Sequence, residues 1–149
     1  MRDDEQWIAE QFGQADLGDT RRSRRAEKVA LSMLAAPGKG LPTQTKTWGG
    51  LKGAYRLMNS PNVTRERLMQ PHFNQTRVQA GPVTLFVQDT TELDFTPKKQ
   101  TKGFGPIGNH KGTGLFVHSL MALTPEGLVL GLAAQRTWSR STGPAYKNT

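Results

Sequence analysis

An α+β fold, helices first and an antiparallel β-meander after them, is what this chain of 149 residues predicts. Up to about residue 80 the apolar residues recur at helical spacing; beyond it they come in short β-branched and aromatic runs broken by glycine. A hydrophobic fraction of 35% leaves enough apolar mass for a core. The expected organisation is a helical domain over residues 1–80 and a sheet domain over 81–149.

Four helices are expected in the first domain. Asp3 or Asp4 caps a short helix burying Trp7, Ile8 and Phe12, which "ADLGD" around Gly18 ends. Asp19 or Thr20 caps the second, whose Ala26, Val29, Ala30, Met33 and Leu34 form an apolar stripe, and "APGKGLP" stops it. The third runs from about Lys46 to Met58 with Trp48, Leu51, Tyr55 and Met58 inward, although Gly49, Gly50 and Gly53 weaken it. Thr64 caps the fourth, which reaches about Ala80 with a break or restart at Pro71.

Three strands are expected in the second domain. Val83–Asp89 is the first, and a loop with five glycines between 103 and 114 separates it from the second, Leu115–Leu123. "TPEG" at 124–127 suits a type I turn leading to a third strand from Leu128 to about Trp138. The tail "SRSTGPAYKNT" shows no periodicity and is expected to be disordered or cut short.

Charge and composition narrow the chemistry. A net charge of +8 favours an anionic partner, nucleic acid before an acidic membrane surface. With no cysteine there is no disulfide, thiolate metal site or thiol nucleophile. "MRDDEQW" carries acids where a signal peptide needs bases, and no apolar run approaches the roughly 18 residues of a membrane span, so a soluble cytoplasmic protein is expected. "GFGPIG" at 103–108 spells a dinucleotide fingerprint, but Pro106 lies inside it and a strand follows. His72, His110 and His118 have no metal-ligand spacing.

Three features remain as candidate sites. "DTRRSRRAEK" at 19–28 places Arg21, Arg22, Arg24, Arg25 and Lys28 at a helix N-terminus, where cations oppose the macrodipole; either the face is simply solvated, or Arg21, Arg22 and Arg25 turn their forks to a phosphate track. Arg56 in "GAYRLMN" is either a second DNA contact or an ion-pair residue. Asp89 shares a face with Val83, Leu85 and Val87, which places a carboxylate at the end of a mostly buried strand. There it either organises a turn with Thr90 and Thr91 or binds Mg²⁺, a hard cation that takes one or two carboxylates.

Five blocks, "LGDTRRSRR", "GAYRLMNSPNVT", "FVQDTTELDF", "GPIGNHKGTGLFVHSLMALTPEGLVLGL" and "RTWSR", together resemble in sequence and order the bacterial DDE transposases of the insertion-sequence-four group, the group of the transposon-five transposase. The resemblance spans nearly the whole chain. It implies a helical domain that binds double-stranded DNA at transposon ends, then the first strands of a ribonuclease-H-like catalytic domain. Arg21, Arg22 and Arg25 fall on the family's DNA-contacting arginines, Arg56 on the arginine of its GAYR segment, and Asp89 on the first acid of the catalytic triad. The implied chemistry is two-metal, Mg²⁺-assisted phosphodiester hydrolysis and strand transfer. The family pattern also needs a later Asp and Glu, whereas after Asp94 this chain has one carboxylate, Glu126, among seven Lys or Arg. The expectation is therefore an N-terminal fragment of a transposase, bacterial and nucleoid-associated, that binds DNA with an incomplete catalytic centre and pairs or competes with an intact transposase. The alternatives are an enzyme completed in trans or by frameshift, and a decayed gene product.

Overall fold

The computed structural model describes residues 4–98, 100–108 and 111–141. The chain divides into two compact units, the division falling between Gln79 and Ala80. Helices make up the first and an antiparallel sheet the second. Asp3, His110 and residues 142–149 of the tail lie outside the described residues.

The described residues of unit 1 form five helices: α1 (Asp4–Phe12), α2 (Thr20–Ala35), α3 (Leu41–Thr45), α4 (Trp48–Met58) and α5 (Arg65–Gln79). Asp19 caps α2 by accepting from the Arg21 amide at 2.8 Å, and Thr47 caps α4 by accepting from the Gly50 amide at 3.1 Å. The short helix α3 was not expected. Lys46 follows it with φ of 57°, a left-handed conformation that separates α3 from α4, which is why α4 starts at Trp48. The core gathers Ala15, Leu17, Ala26, Val29, Ala54 and Leu57, with Leu41, Val63 and Leu68 packed around it.

Several expected core residues lie outside. Ile8 is buried, but Trp7 is exposed, and so are Met33 and Leu34 near the end of α2. In α4 the inward residues are Ala54 and Leu57, while Trp48 is 76% exposed and Tyr55 and Met58 face solvent. Ala54 lets α2 pack closely against α4, and Leu57 fills the core beside it. Pro71 does not break α5, which runs unbroken to Gln79. Pro71 is itself buried, and packing of α5 against α1 outweighs the loss of one backbone hydrogen bond.

Unit 2 is a four-stranded sheet of β1 (Leu85–Asp94), β2 (Gly105–Ile107), β3 (Gly112–Leu123) and β4 (Val129–Trp138). β3 pairs along one edge with β1, from Asp94↔Gly114 to Leu85↔Leu123. β2 (at residues 112–114 of β3) and β4 (at 116–123) pair with it as well. The short β2 lies inside the glycine-rich stretch expected to be a loop. Gly114 allows this crowding, since a Cβ there would run into the Leu93 carbonyl. The turn after β3 closes as expected, with the Gly127 amide donating to the Thr124 carbonyl at 2.9 Å.

β1 departs most from expectation. It continues five residues past Asp89, and every residue in it is exposed, Phe86 at 57% and Val87 at 50%. Asp89 is therefore a mid-strand, solvent-facing residue, not the end of a buried strand.

Candidate nucleic-acid interface

The basic residues of α2 divide by helical angle. Arg22, Ala26 and Val29 stand at i, i+4 and i+7 on the buried stripe, so Arg22 turns back toward the core, where its Nη1 donates to the Leu17 carbonyl at 2.8 Å. Arg21 and Arg25 form the neighbouring stripe. Arg24 faces a different hollow, shared with Asp16 and Glu27. Of the three arginines expected to face one phosphate track, Arg21 and Arg25 line one hollow, while Arg22 bonds to the α1–α2 connection.

On α4, Gly49, Lys52, Gly53 and Arg56 fall at i, i+3, i+4 and i+7 and so share one face. That face and the Arg21–Arg25 stripe of α2 enclose an open hollow of about 350 Å³ lined by Arg21, Arg25, Lys52 and Arg56 with Gly49 and Gly53. None of its lining residues is acidic. Arg56 lies in the last turn of α4, where a cation is favoured by the macrodipole; Arg21 and Arg25 sit in the first turns of α2, where it is not. The arrangement concentrates positive charge and guanidinium forks in a concavity, the geometry that receives phosphate oxygens.

Among the described residues, Arg21 is the member of this group paired with an acid. Its Nη2 meets Asp19 Oδ2 at 3.1 Å, and this hydrogen bond holds the Asp19 carboxyl below its ordinary 3.8 and raises the guanidinium further. The pair is solvent-facing and so worth little by itself, which leaves Arg21 free to exchange the carboxylate for a phosphate.

Residues 4–63 match the family model for transposase DNA-binding domains. The matched segment runs from α1 to the turn after α4 and contains every residue lining the α2–α4 hollow. The match supports a transposase-like, DNA-binding N-terminal unit and does not reach the sheet. Lys52, which lies outside the basic run at 19–28, lines the hollow beside the three arginines. Its i, i+4 spacing to Arg56 is the available signal, and of the two glycines at the same spacing Gly53 marks a close approach, by Arg25, whereas Gly49 faces open space.

Asp89 lies in unit 2. Its cross-strand neighbour is Ser119, whose Oγ accepts from Gln135 Nε2 at 2.8 Å. The other acids of β1, Glu92 and Asp94, stand at odd offsets and project from the opposite face. Glu92 accepts from the Gly108 amide at 3.1 Å, and Asp94 accepts from the Thr96 hydroxyl and, at 2.8 Å, from the Thr96 amide, contacts that lower its pKa. Among the described residues no three His, Cys, Asp or Glu come together as a metal-holding group. The residues present do not fit a two-metal centre, and a lone exposed carboxylate holds Mg²⁺ only weakly. No helix among the described residues is long and apolar enough to cross a membrane.

Proposed function

We propose that the protein binds duplex DNA at transposon ends through the hollow between α2 and α4, as the DNA-recognising part of a cut-and-paste DDE transposase of the insertion-sequence-four group. The observation that carries this reading is the convergence of Arg21, Arg25, Lys52 and Arg56 around one concavity without an acidic lining residue, inside a segment that matches transposase DNA-binding domains. Arg21, Arg25 and Arg56 contact backbone phosphates, Lys52 adds a fourth cation, and Arg22 positions the N-terminal turn of α2 through Leu17. On the same reading the sheet of unit 2 opens a ribonuclease-H-like domain and Asp89 is the first acid of its Mg²⁺ site. Among the described residues no group of carboxylates gathers around Asp89, so DNA binding is the activity proposed for this chain. It would occupy transposon ends in competition, or in a dimer, with an intact transposase.

Fluorescence anisotropy with a labelled transposon-end duplex tests the proposal. Arg25→Ala with Arg56→Ala is expected to weaken binding at least tenfold at low salt, about 1.4 kcal/mol, with an unchanged circular-dichroism spectrum. Unaltered affinity would remove the hollow as the DNA site.

A further inference from the structure

We propose that unit 2 carries a second and separate contact for the phosphodiester backbone of DNA, formed by Arg136 and Arg140 beside the hollow of His118, Trp138 and Ser139. It stands on residues of the sheet and does not depend on the α2–α4 hollow. The register places His118 opposite Arg136 and Phe116 opposite Trp138, so these side chains share one face of β3 and β4. Phe116 is buried and stacks on Trp138, ring centroids 5.5 Å apart and planes 17° from parallel. The Arg140 guanidinium lies 4.4 Å over the Phe116 ring, and that of Arg136 lies 6.0 Å from the Trp138 ring.

Two guanidiniums are thus braced on a stacked aromatic pair. A ring fixes a guanidinium's position without neutralising it, and among the described residues neither arginine is ion-paired to a carboxylate. Glu92 shares the cross-strand row of Phe116 and Trp138, but its carboxylate accepts from the Gly108 amide. Beside the cations lies an open hollow of about 450 Å³ lined by His118, Arg136, Trp138 and Ser139. The His118 ring is fixed in its wall by Thr90 Oγ1, 2.7 Å from Nδ1. Planar forks held in place, a hydroxyl and an aromatic floor fit a row of backbone phosphates better than the carboxylates of a protein partner, because each phosphate accepts both N–H groups of a fork and carries its charge on an exposed, regular track.

The test uses the full chain and a random-sequence DNA duplex, with binding followed by anisotropy over a range of NaCl concentrations. Replacing both residues, R136Q with R140Q, is expected to flatten the slope of log affinity against log salt by about 1.8, two phosphates at about 0.9 each. A chain carrying W7F and W48F leaves Trp138 as the sole tryptophan, and its emission is expected to change when duplex is added, including when Arg25 and Arg56 are both Gln. An unchanged slope in R136Q/R140Q, or Trp138 emission that stays flat or responds only while Arg25 and Arg56 are present, would overturn the proposal. A slope unchanged in R25Q/R56Q alone would instead count against the α2–α4 site.

Discussion

The guanidinium of Arg25 on α2 lies directly over Gly53 on α4: a Cβ added at Gly53 would stand 2.6 Å from Arg25 Nη1 and 2.8 Å from its Cζ. The missing side chain on one helix is what lets the cation of the other settle against it. Gly53→Ala should therefore push the Arg25 side chain out of the hollow while adding a residue of better helix propensity, worth up to about 1 kcal/mol. The expected outcome is weaker DNA binding with equal or higher thermal stability. Affinity unchanged in G53A would show that the position of Arg25 does not matter to binding.

Arg22 and Arg56 should separate in their phenotypes. Arg22→Ala removes the donor to the Leu17 carbonyl and is expected to cost about 1 kcal/mol of unit 1 stability, with little effect on the salt dependence of DNA binding. Arg56→Ala should do the reverse, leaving the thermal midpoint in place and lowering the salt slope by about 0.9. Denaturation and anisotropy on the two variants check the pair, and a salt slope that falls equally in both would return Arg22 to the interface.

His72 makes unit 1 sensitive to pH. Its Nδ1 faces Gln11 Oε1 at 2.5 Å across the α1–α5 contact, and burial lowers its pKa from the ordinary 6.5. Below 6.5 the unfolded chain takes up a proton that the folded chain resists, so stability falls as pH drops from 6.5 toward the lower folded value and levels off beneath it. Thermal melts between about pH 7.5 and 5 should show this loss, and His72→Gln should flatten it. A wild-type midpoint independent of pH would contradict the assignment.

How much of this was legible in the sequence depends on what set each residue's place. Ala26 and Val29 followed from helical periodicity, and Asp19 from cap chemistry. The same periodicity put Arg22 on their stripe, but its charge drew attention away from its angle. In α4 the apolar spacing favours Trp48, Tyr55 and Met58 inward, whereas packing against α2 buries Ala54 and Leu57 and leaves Trp48 outside, a tertiary effect that α4's own sequence does not contain. The apolar run stops at Asp89, but β1 continues to Asp94. Thr90, Thr91 and Leu93 prolong it, held by pairing to β3.

β1 has consequences for solubility. It is exposed on both faces with Leu85, Phe86 and Val87 in succession. Such a strand is a template for association, so the protein should self-associate at high concentration, and Phe86→Lys should reduce this without unfolding the sheet. Light scattering over a concentration series checks it; a wild-type chain that stays monodisperse would contradict the expectation.

The measurement closest to the central claim is the salt dependence of binding to a transposon-end duplex, compared between the wild-type chain and a variant with Arg25, Lys52 and Arg56 all changed to Ala. Three lost phosphate contacts should flatten the slope by about 2.7 and remove most of the affinity at low salt. A variant that binds with the wild-type slope and affinity would show that the hollow between α2 and α4 does not hold DNA.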